Sequence, residues 1–389
     1  MVQEPGLSDR SHSWFHLSVL FITVSECSET AVEGEVGVGE AMAGGGGGGE
    51  AVVGRAVRAG GRLRRAALLE EGEELEGEGG VWRVGAPLAE GGFGQIFLAE
   101  PPGPPGPPAA IKAELWREED GEAAALLRVE RQVYASLSRL GEPEEPQRRR
   151  FLRLLGWGRL PGRVQWLALE LGGRNLAELK RTLGQDFRFS ERSALGLGLG
   201  MVEALEQLHS TGWLHRDVKP SNFCLGRDGA GLFLLDFGLA RRWRDAEGRH
   251  RVGRVQCGFR GTLRYASIHV HLGQDMSRRD DLASLAYLLA EQRLGRLPWR
   301  RLQDKPLVLD HKAEWAQSVD QWGPATSPPI VFLYRHCRGL AFADPPDFPA
   351  LKDAFRDRLR LLPHQPPEWH PAPLPLPPAR PHPHPILPN

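Results

Sequence analysis

Two short runs of residues in this chain have the make-up of phosphoryl-transfer chemistry. His215-Arg216-Asp217-Val218-Lys219-Pro220-Ser221-Asn222 places a carboxylate, a lysine and an amide at close spacing, and Asp236-Phe237-Gly238 follows downstream. Moving a phosphoryl group needs an in-line nucleophile, a proton acceptor and cations against the phosphate charge. Asp217 is suited to take the proton of an attacking hydroxyl, and Lys219 to sit against the transferred group. Asn222 and Asp236 offer the hard oxygen donors that Mg2+ favours. Two unrelated surface turns would be the plain alternative, but they would not give both runs in this order.

Nucleotide binding needs further residues upstream. Glu90-Gly91-Gly92-Phe93-Gly94-Gln95-Ile96 reads as a glycine-rich loop whose backbone N–H groups can approach phosphate oxygens closely. Ala89 stands where such loops usually carry their first glycine, a change tolerated if its φ is negative. Ala110-Ile111-Lys112 supplies a strand lysine for the α- and β-phosphates. Its partner is expected on a helix, and Glu130 has the right apolar neighbours, with Glu122 as the second choice.

The elements that must position these residues change character along the chain. Strand-like runs come first, at Trp82–Leu88, Gln95–Glu100, Ala109–Ala113, Phe151–Gly156 and Val164–Glu170, interrupted by one helical pattern over Glu122–Leu140. Helical patterns follow at Glu191–Ser210, Arg279–Gln292, Pro329–Leu340 and Phe348–Leu361. A strand-rich part before a helix-rich part predicts an α+β protein of two lobes, about 82–170 and 173–362. Pro101–Pro108 reads as an enlarged hairpin loop.

Composition bounds what lies outside that unit. Residues 1–80 are expected to be a disordered leader, rich in Gly, Glu and Arg towards its end, and 363–389 a disordered proline-rich tail. The apolar run Trp14–Val24 lacks the basic flank of a signal peptide. Basic and acidic residues balance at 49 each, which gives no overall pull towards nucleic acid or membrane. No apolar stretch is long enough for a membrane span. The four cysteines form no CxxC pair, which fits a reducing compartment.

Residues 82 to about 360 resemble the tau-tubulin kinases, a branch of the casein kinase I superfamily. The resemblance is carried by Gly173-Arg174-Asn175-Leu176, by both runs above, by Gly258-Phe259-Arg260-Gly261-Thr262-Leu263-Arg264-Tyr265-Ala266-Ser267, by Ser277-Arg278-Arg279-Asp280-Asp281-Leu282 and by Leu297-Pro298-Trp299. It implies a bilobal protein kinase that transfers the γ-phosphoryl of ATP to serine or threonine, with Mg2+. It also implies ATP contacts from Leu88 to Gly94 and at Ile96, Ala110, Lys112 and Glu130. Leu169 falls at the gatekeeper position, Glu170 and Gly172 at the hinge, and Cys224 on the adenine floor. Asp281 resembles an aspartate that braces the catalytic loop.

Substrates implied are proteins such as tau or tubulin, in the cytoplasm, with the cytoskeleton or nucleus as further locations. An inactive, partner-binding relative of the kinases is the alternative, although Lys112, Asp217, Lys219, Asn222 and Asp236 are all in place. Between Gly238 and Thr262 there is no Ser, Thr or Tyr, so phosphorylation has no acceptor in this segment. Eight arginines lie between Arg241 and Arg264, opposed within the segment only by Asp245 and Glu247. The resemblance places Arg264 in the stretch where casein kinase I-like enzymes bind anions, and Arg260 and Arg264 are expected to bind anionic, acidic or phosphorylated, substrate side chains. Pro375-Leu376-Pro377-Pro378-Ala379-Arg380 fits a ligand of SH3 domains.

Overall fold

A computed structural model of the chain describes residues 57–59, 62–64, 66–91, 94–101, 103, 106–116, 126–141, 149–183 and 187–369. Gly92, Phe93, Glu122, the Trp14–Val24 run and the Pro375–Arg380 motif lie outside the described residues. A short hairpin, β1 (Val57–Ala59) with β2 (Arg62–Arg64), stands apart from the main sheet.

The first lobe is a six-stranded antiparallel sheet in the order β3-β4-β5-β6-β8-β7. Its strands are β3 (Glu74–Gly77), β4 (Gly80–Glu90), β5 (Gln95–Glu100), β6 (Ala109–Leu115), β7 (Leu154–Leu160) and β8 (Val164–Glu170). Alternating inward residues build its core from Leu75, Trp82, Val84, Phe97, Ile111 and Trp166. Helix α1 (Leu126–Leu137) lies beside the sheet and buries Leu127, Val133 and Tyr134.

Two expectations about boundaries are corrected here. The folded unit begins before residue 82, because Leu69 and Leu75 are buried and β3 forms the sheet edge. That edge curls back onto the opposite one: Glu78 N donates to Trp157 O at 2.8 Å and Trp157 N to Glu78 O at 3.1 Å. Pairing edge to edge leaves fewer unsatisfied backbone groups. Gly79 permits the approach, with φ +90° and no room for a Cβ beside the Leu155 carbonyl. The glycine and glutamate content of 66–80, read as a sign of disorder, here serves a tight turn and an outward face. At the other end, residues 363–369 also fold back. Trp369 meets Phe189 edge-on with ring centres 5.8 Å apart, and Glu368 Oε1 accepts from Ser190 N at 2.7 Å.

The second lobe is helical. It comprises α2 (Leu176–Thr182), α3 (Glu191–Ser210), α4 (Ile268–His271), α5 (Arg278–Leu294), α6 (Lys305–Gln317), α7 (Val319–Thr326), α8 (Pro328–Gly339) and α9 (Phe348–Leu361). Helix α5 is buried nearly all round, charged residues such as Asp280, Asp281 and Glu291 included, and is wrapped by α3, α7 and α8, which makes it the centre of the lobe. Short strands β9 (Trp213–Leu214), β10 (Phe223–Leu225), β11 (Leu232–Leu234) and β12 (Arg241–Arg242) sit on its upper face. A separate apolar cluster bridges the lobes: Leu88, Ile96 and Ala110 from the sheet meet Cys224, Phe233 and Leu235 from below.

Candidate active site

The loop 215–222 is held between two small ladders. β9 pairs with β12, and β10 pairs with β11. Leu235 N donates to Asn222 O at 2.8 Å, which sets Asp236 beside the end of the loop. Asp281, in the first turn of α5, holds the loop from below. It accepts from His215 N at 2.9 Å and Arg216 N at 2.8 Å, and meets His209 Nε2 at 2.8 Å. Burial acts to raise the Asp281 pKa, but the His209 contact and the backbone amide outweigh it and hold the carboxyl below its usual range. Those amide bonds stabilise Arg216 in the left-handed region at φ 71°. Asp236 is left-handed as well, at φ 62°. Such conformations cost about 1–3 kcal/mol each and persist where the surroundings enforce them.

Within this frame the expected residues converge. Lys112 Nζ on β6 donates to Glu130 Oε2 of α1 at 2.6 Å and to Asp236 Oδ1 at 2.9 Å. The lysine therefore ties the sheet, α1 and the second lobe together. Burial pulls the Lys112 pKa down, but Asp236 and Glu130 more than reverse this and hold it charged. Burial likewise works upward on Asp236, yet Lys112 and Lys219 bring its pKa down to about 2. Glu130 is the partner seen among the described residues. Phe237 packs edge-on against Tyr134 of α1 and against His215, at 5.2 and 5.6 Å between ring centres. Gly94 closes the β4–β5 turn, where a Cβ would run into the Ala113 carbonyl. Ala89 lies in extended β4 and is not among the positive-φ residues, which removes the objection to an alanine there.

Asp217, Lys219 and Asn222 are all buried in the same cleft. Lys219 Nζ stands 2.8 Å from Asp217 Oδ2, and Asn222 Nδ2 donates to Asp217 O at 2.9 Å. Asn222 Oδ1 is buried and finds no protein partner among the described residues. An orphaned amide oxygen next to an ionised Asp236 is a donor set that fits a hard cation such as Mg2+.

The cluster that bridges the two lobes is apolar. Ala110 and Leu169 face each other in the β6–β8 pairing, and Glu170 ends β8 with its carboxylate on Arg149 at 2.7 Å. Gly172 lies against Cys224, whose buried thiol is pushed up to about 12 by burial and is a small apolar wall, not a nucleophile.

Three residues escaped the sequence reading. Thr262 Oγ1 donates to Asp217 Oδ1 at 2.7 Å, tying the carboxylate to the loop that follows the arginine-rich segment. Its place in Gly261-Thr262 was the available signal. Glu114 receives the amides of Leu126 and Leu127 at 3.4 and 3.0 Å, and so caps α1 from β6. Lys112 and Glu114 share a face of β6, because side chains alternate along a strand. Asp275 is the third. It binds Arg241 and Arg254, so these arginines are not free for substrate.

Arg264 has contacts within the fold: its guanidinium lies 3.7 Å from Glu291 and over the Tyr265 ring. Charges counted along one segment omitted carboxylates that folding brings in. Arg260 is exposed.

Residues 160–331 match the family model described as the protein kinase domain. A probable serine/threonine-protein kinase of Dictyostelium discoideum is 41% identical over 195 residues, covering 49% of this chain and 39% of the relative. The chain thus spans well under half the length of that curated relative. The match carries the catalytic loop and Asp236, and the geometry adds the sheet, Lys112 and Glu130 in front of them. The described residues have the two-lobed architecture of the protein kinase fold, a strand-rich lobe before a helical one, and residues 160–331 are similar to that family.

Proposed function

We propose that this chain transfers the γ-phosphoryl group of ATP to serine or threonine hydroxyls of proteins. The observation that carries the reading is the Lys112–Glu130–Asp236 connection across one cleft from Asp217, Lys219 and Asn222. The hydroxyl oxygen bonds to the γ-phosphorus as the bridge to the β-phosphate breaks, ADP leaves with the electron pair, and Asp217 takes the proton. Lys219 neutralises charge on the transferred group, and Lys112 orients the remaining phosphates. Asn222 and Asp236 are the residues to hold Mg2+, which supplies further charge neutralisation when bound. Leu88, Ile96, Ala110 and Cys224 form the adenine walls, with the backbone of Glu170 and Gly172 as polar contacts.

The motifs that resemble tau-tubulin kinases and casein kinase I favour that branch, and cytoskeletal substrates with it. The exposed Arg260 supports a preference for acidic or phosphorylated flanks, without Arg264 as its main contact. SH3 recognition of the tail and a cytoplasmic location complete the reading. The test is ATP turnover by the full chain on an acidic protein substrate, with Asp236→Ala as control. Turnover that the control abolishes supports the reading. No turnover above that control would favour a non-catalytic, partner-binding role.

A further inference from the structure

The segment after Asp236 raises a physical question. In many kinases it is ordered by a phosphate on its own chain, which gathers arginines. Here residues 239–261 contain no Ser, Thr or Tyr, yet they contain Arg241, Arg242, Arg244, Arg249, Arg251, Arg254 and Arg260. Like charges at this density repel; Asp245 and Glu247 of the segment both pair with Arg249, and a fixed path for the other arginines needs an anion from outside it.

The structure supplies one. Asp275, between α4 and α5, is only 7% exposed. It accepts from Arg254 three times: from the backbone N at 3.2 Å, from Nε at 3.1 Å and from Nη2 at 3.0 Å. Arg241 Nη1 reaches the same carboxylate at 3.4 Å. Met276 N donates to it at 3.1 Å and fixes its direction. One carboxylate therefore clamps two distant points of the segment. Arg241 belongs to β12, whose partner β9 leads directly into the catalytic loop. Arg216 of that loop is in the same electrostatic neighbourhood, with Arg254 and Arg260 against it and Asp275 and Asp281 opposing them. Its Nε has no partner among the described residues.

We propose that Asp275 is a built-in anion that takes the place of an activating phosphate, ordering the 239–261 segment and, through it, the substrate side of the cleft. The inference rests on the kinase reading above. Asp275 is a positioning residue: it touches no reacting atom. The fork geometry of Arg254 explains how a singly charged group suffices, since a bidentate pair fixes direction as well as distance.

The experiment uses the full chain, phosphatase-treated, as wild type and as Asp275→Ala, Asp275→Asn and Asp275→Glu. Hydrogen exchange is read on the peptide covering 239–261, and steady-state kinetics on a peptide substrate. Asp275→Ala and Asp275→Asn are expected to speed exchange in the segment. They should lower peptide kcat/KM by ~10–100-fold, the scale of a small misplacement at a site, with the KM for ATP little changed. Unchanged exchange in α8 and α9 reports that the fold is intact. Asp275→Glu should restore part of both readouts. Inorganic phosphate should rescue Asp275→Ala, while chloride at equal ionic strength should not.

Wild-type exchange and turnover in Asp275→Asn would overturn the proposal, as would loss of segment protection in wild type on phosphatase treatment. If wild type shows no turnover at all, the kinase reading fails, and the exchange data still decide the role of Asp275.

Discussion

Asp217 has a neighbour on each side, Lys219 at Oδ2 and Thr262 at Oδ1. Together these contacts orient the carboxylate. Asp217→Asn keeps the size but removes the carboxylate that the proposed reaction uses as its base. It is expected to lower kcat on the order of 10²-fold or more, the usual scale of general-base catalysis, while the Kd for ATP barely moves. Calorimetric ATP titration beside turnover measures the split; near-normal turnover would exclude Asp217 as the base. At this scale the sequence was informative where chemistry demands particular residue types at fixed local spacing, as at Asp217, Asn222 and Asp236. Lys112 and Glu130 were reachable because a strand lysine needs a helical acid. Charge pairing was less legible: the partners of Arg264 and Arg254, Glu291 and Asp275, are remote in sequence and adjacent only in space.

At the level of elements, the clearest periodicities gave the clearest bounds: Gln95–Glu100, Val164–Glu170, Glu191–Ser210 and Phe348–Leu361 recur unchanged in the fold. Helix α6 was not read, and its buried side explains why. Val308, Lys312 and Ala316 are spaced as one helical face, but the middle position is a lysine, which breaks the apolar stripe. Lys312 is buried, and Nζ donates to Leu263 O at 2.8 Å and Ala266 O at 2.6 Å, so α6 anchors the loop that carries Thr262.

His271 of α4 contacts the same nitrogen at 3.1 Å. Burial, then the charges of Lys312 and Lys305, lower the His271 pKa to about 4. The folded state therefore disfavours the imidazolium. Its stability contribution is intact above the ordinary histidine value of 6.5 and is lost as pH falls from there towards 4. The melting temperature should drop over that window by on the order of a few °C more in wild type than in His271→Gln, measured by calorimetry. Parallel pH profiles would show that His271 does not titrate in this way.

A second element-level test concerns the cap of α1. Glu114→Ala should cost about 1 kcal/mol, as other lost caps do, and weaken the Lys112–Glu130 pairing. The expected kinetic signature is a raised KM for ATP, with Glu114→Gln closer to wild type. An unchanged KM in Glu114→Ala would mean that α1 holds its place without the cap.

For the whole molecule, the question is where the cooperative unit starts and stops. Sequence composition set it at 82–362, since low hydrophobicity at both flanks gives little apolar area to offset ordering entropy. The fold needs only a few well-placed contacts to extend it. On the near side, Leu68 N donates to Gln95 Oε1 at 2.7 Å, Arg163 pairs with Glu73, and Leu69 and Leu75 are buried. On the far side, Arg192 donates to the carbonyls of Leu359 and Leu362 at 3.0 Å each, and Trp369 covers Phe189.

A fragment 66–369 keeps all of these contacts. A fragment 82–362 loses two buried leucines, each worth about 2–5 kcal/mol when truncated to alanine. It also exposes the β4 and β7 edges that β3 covers. Against a total stability of about 5–15 kcal/mol that loss is large. The shorter fragment is expected to melt at least ~10 °C lower, or to lose its cooperative transition. Extending it at one end only separates the two contributions: 66–362 should recover most of the difference and 82–369 little, because the buried leucines lie at the N-terminal edge while the Trp369 contact remains partly exposed. Equal melting of 82–362 and 66–369 would return the boundary to the one the composition suggests and make β3 an ornament on a sheet that is stable without it.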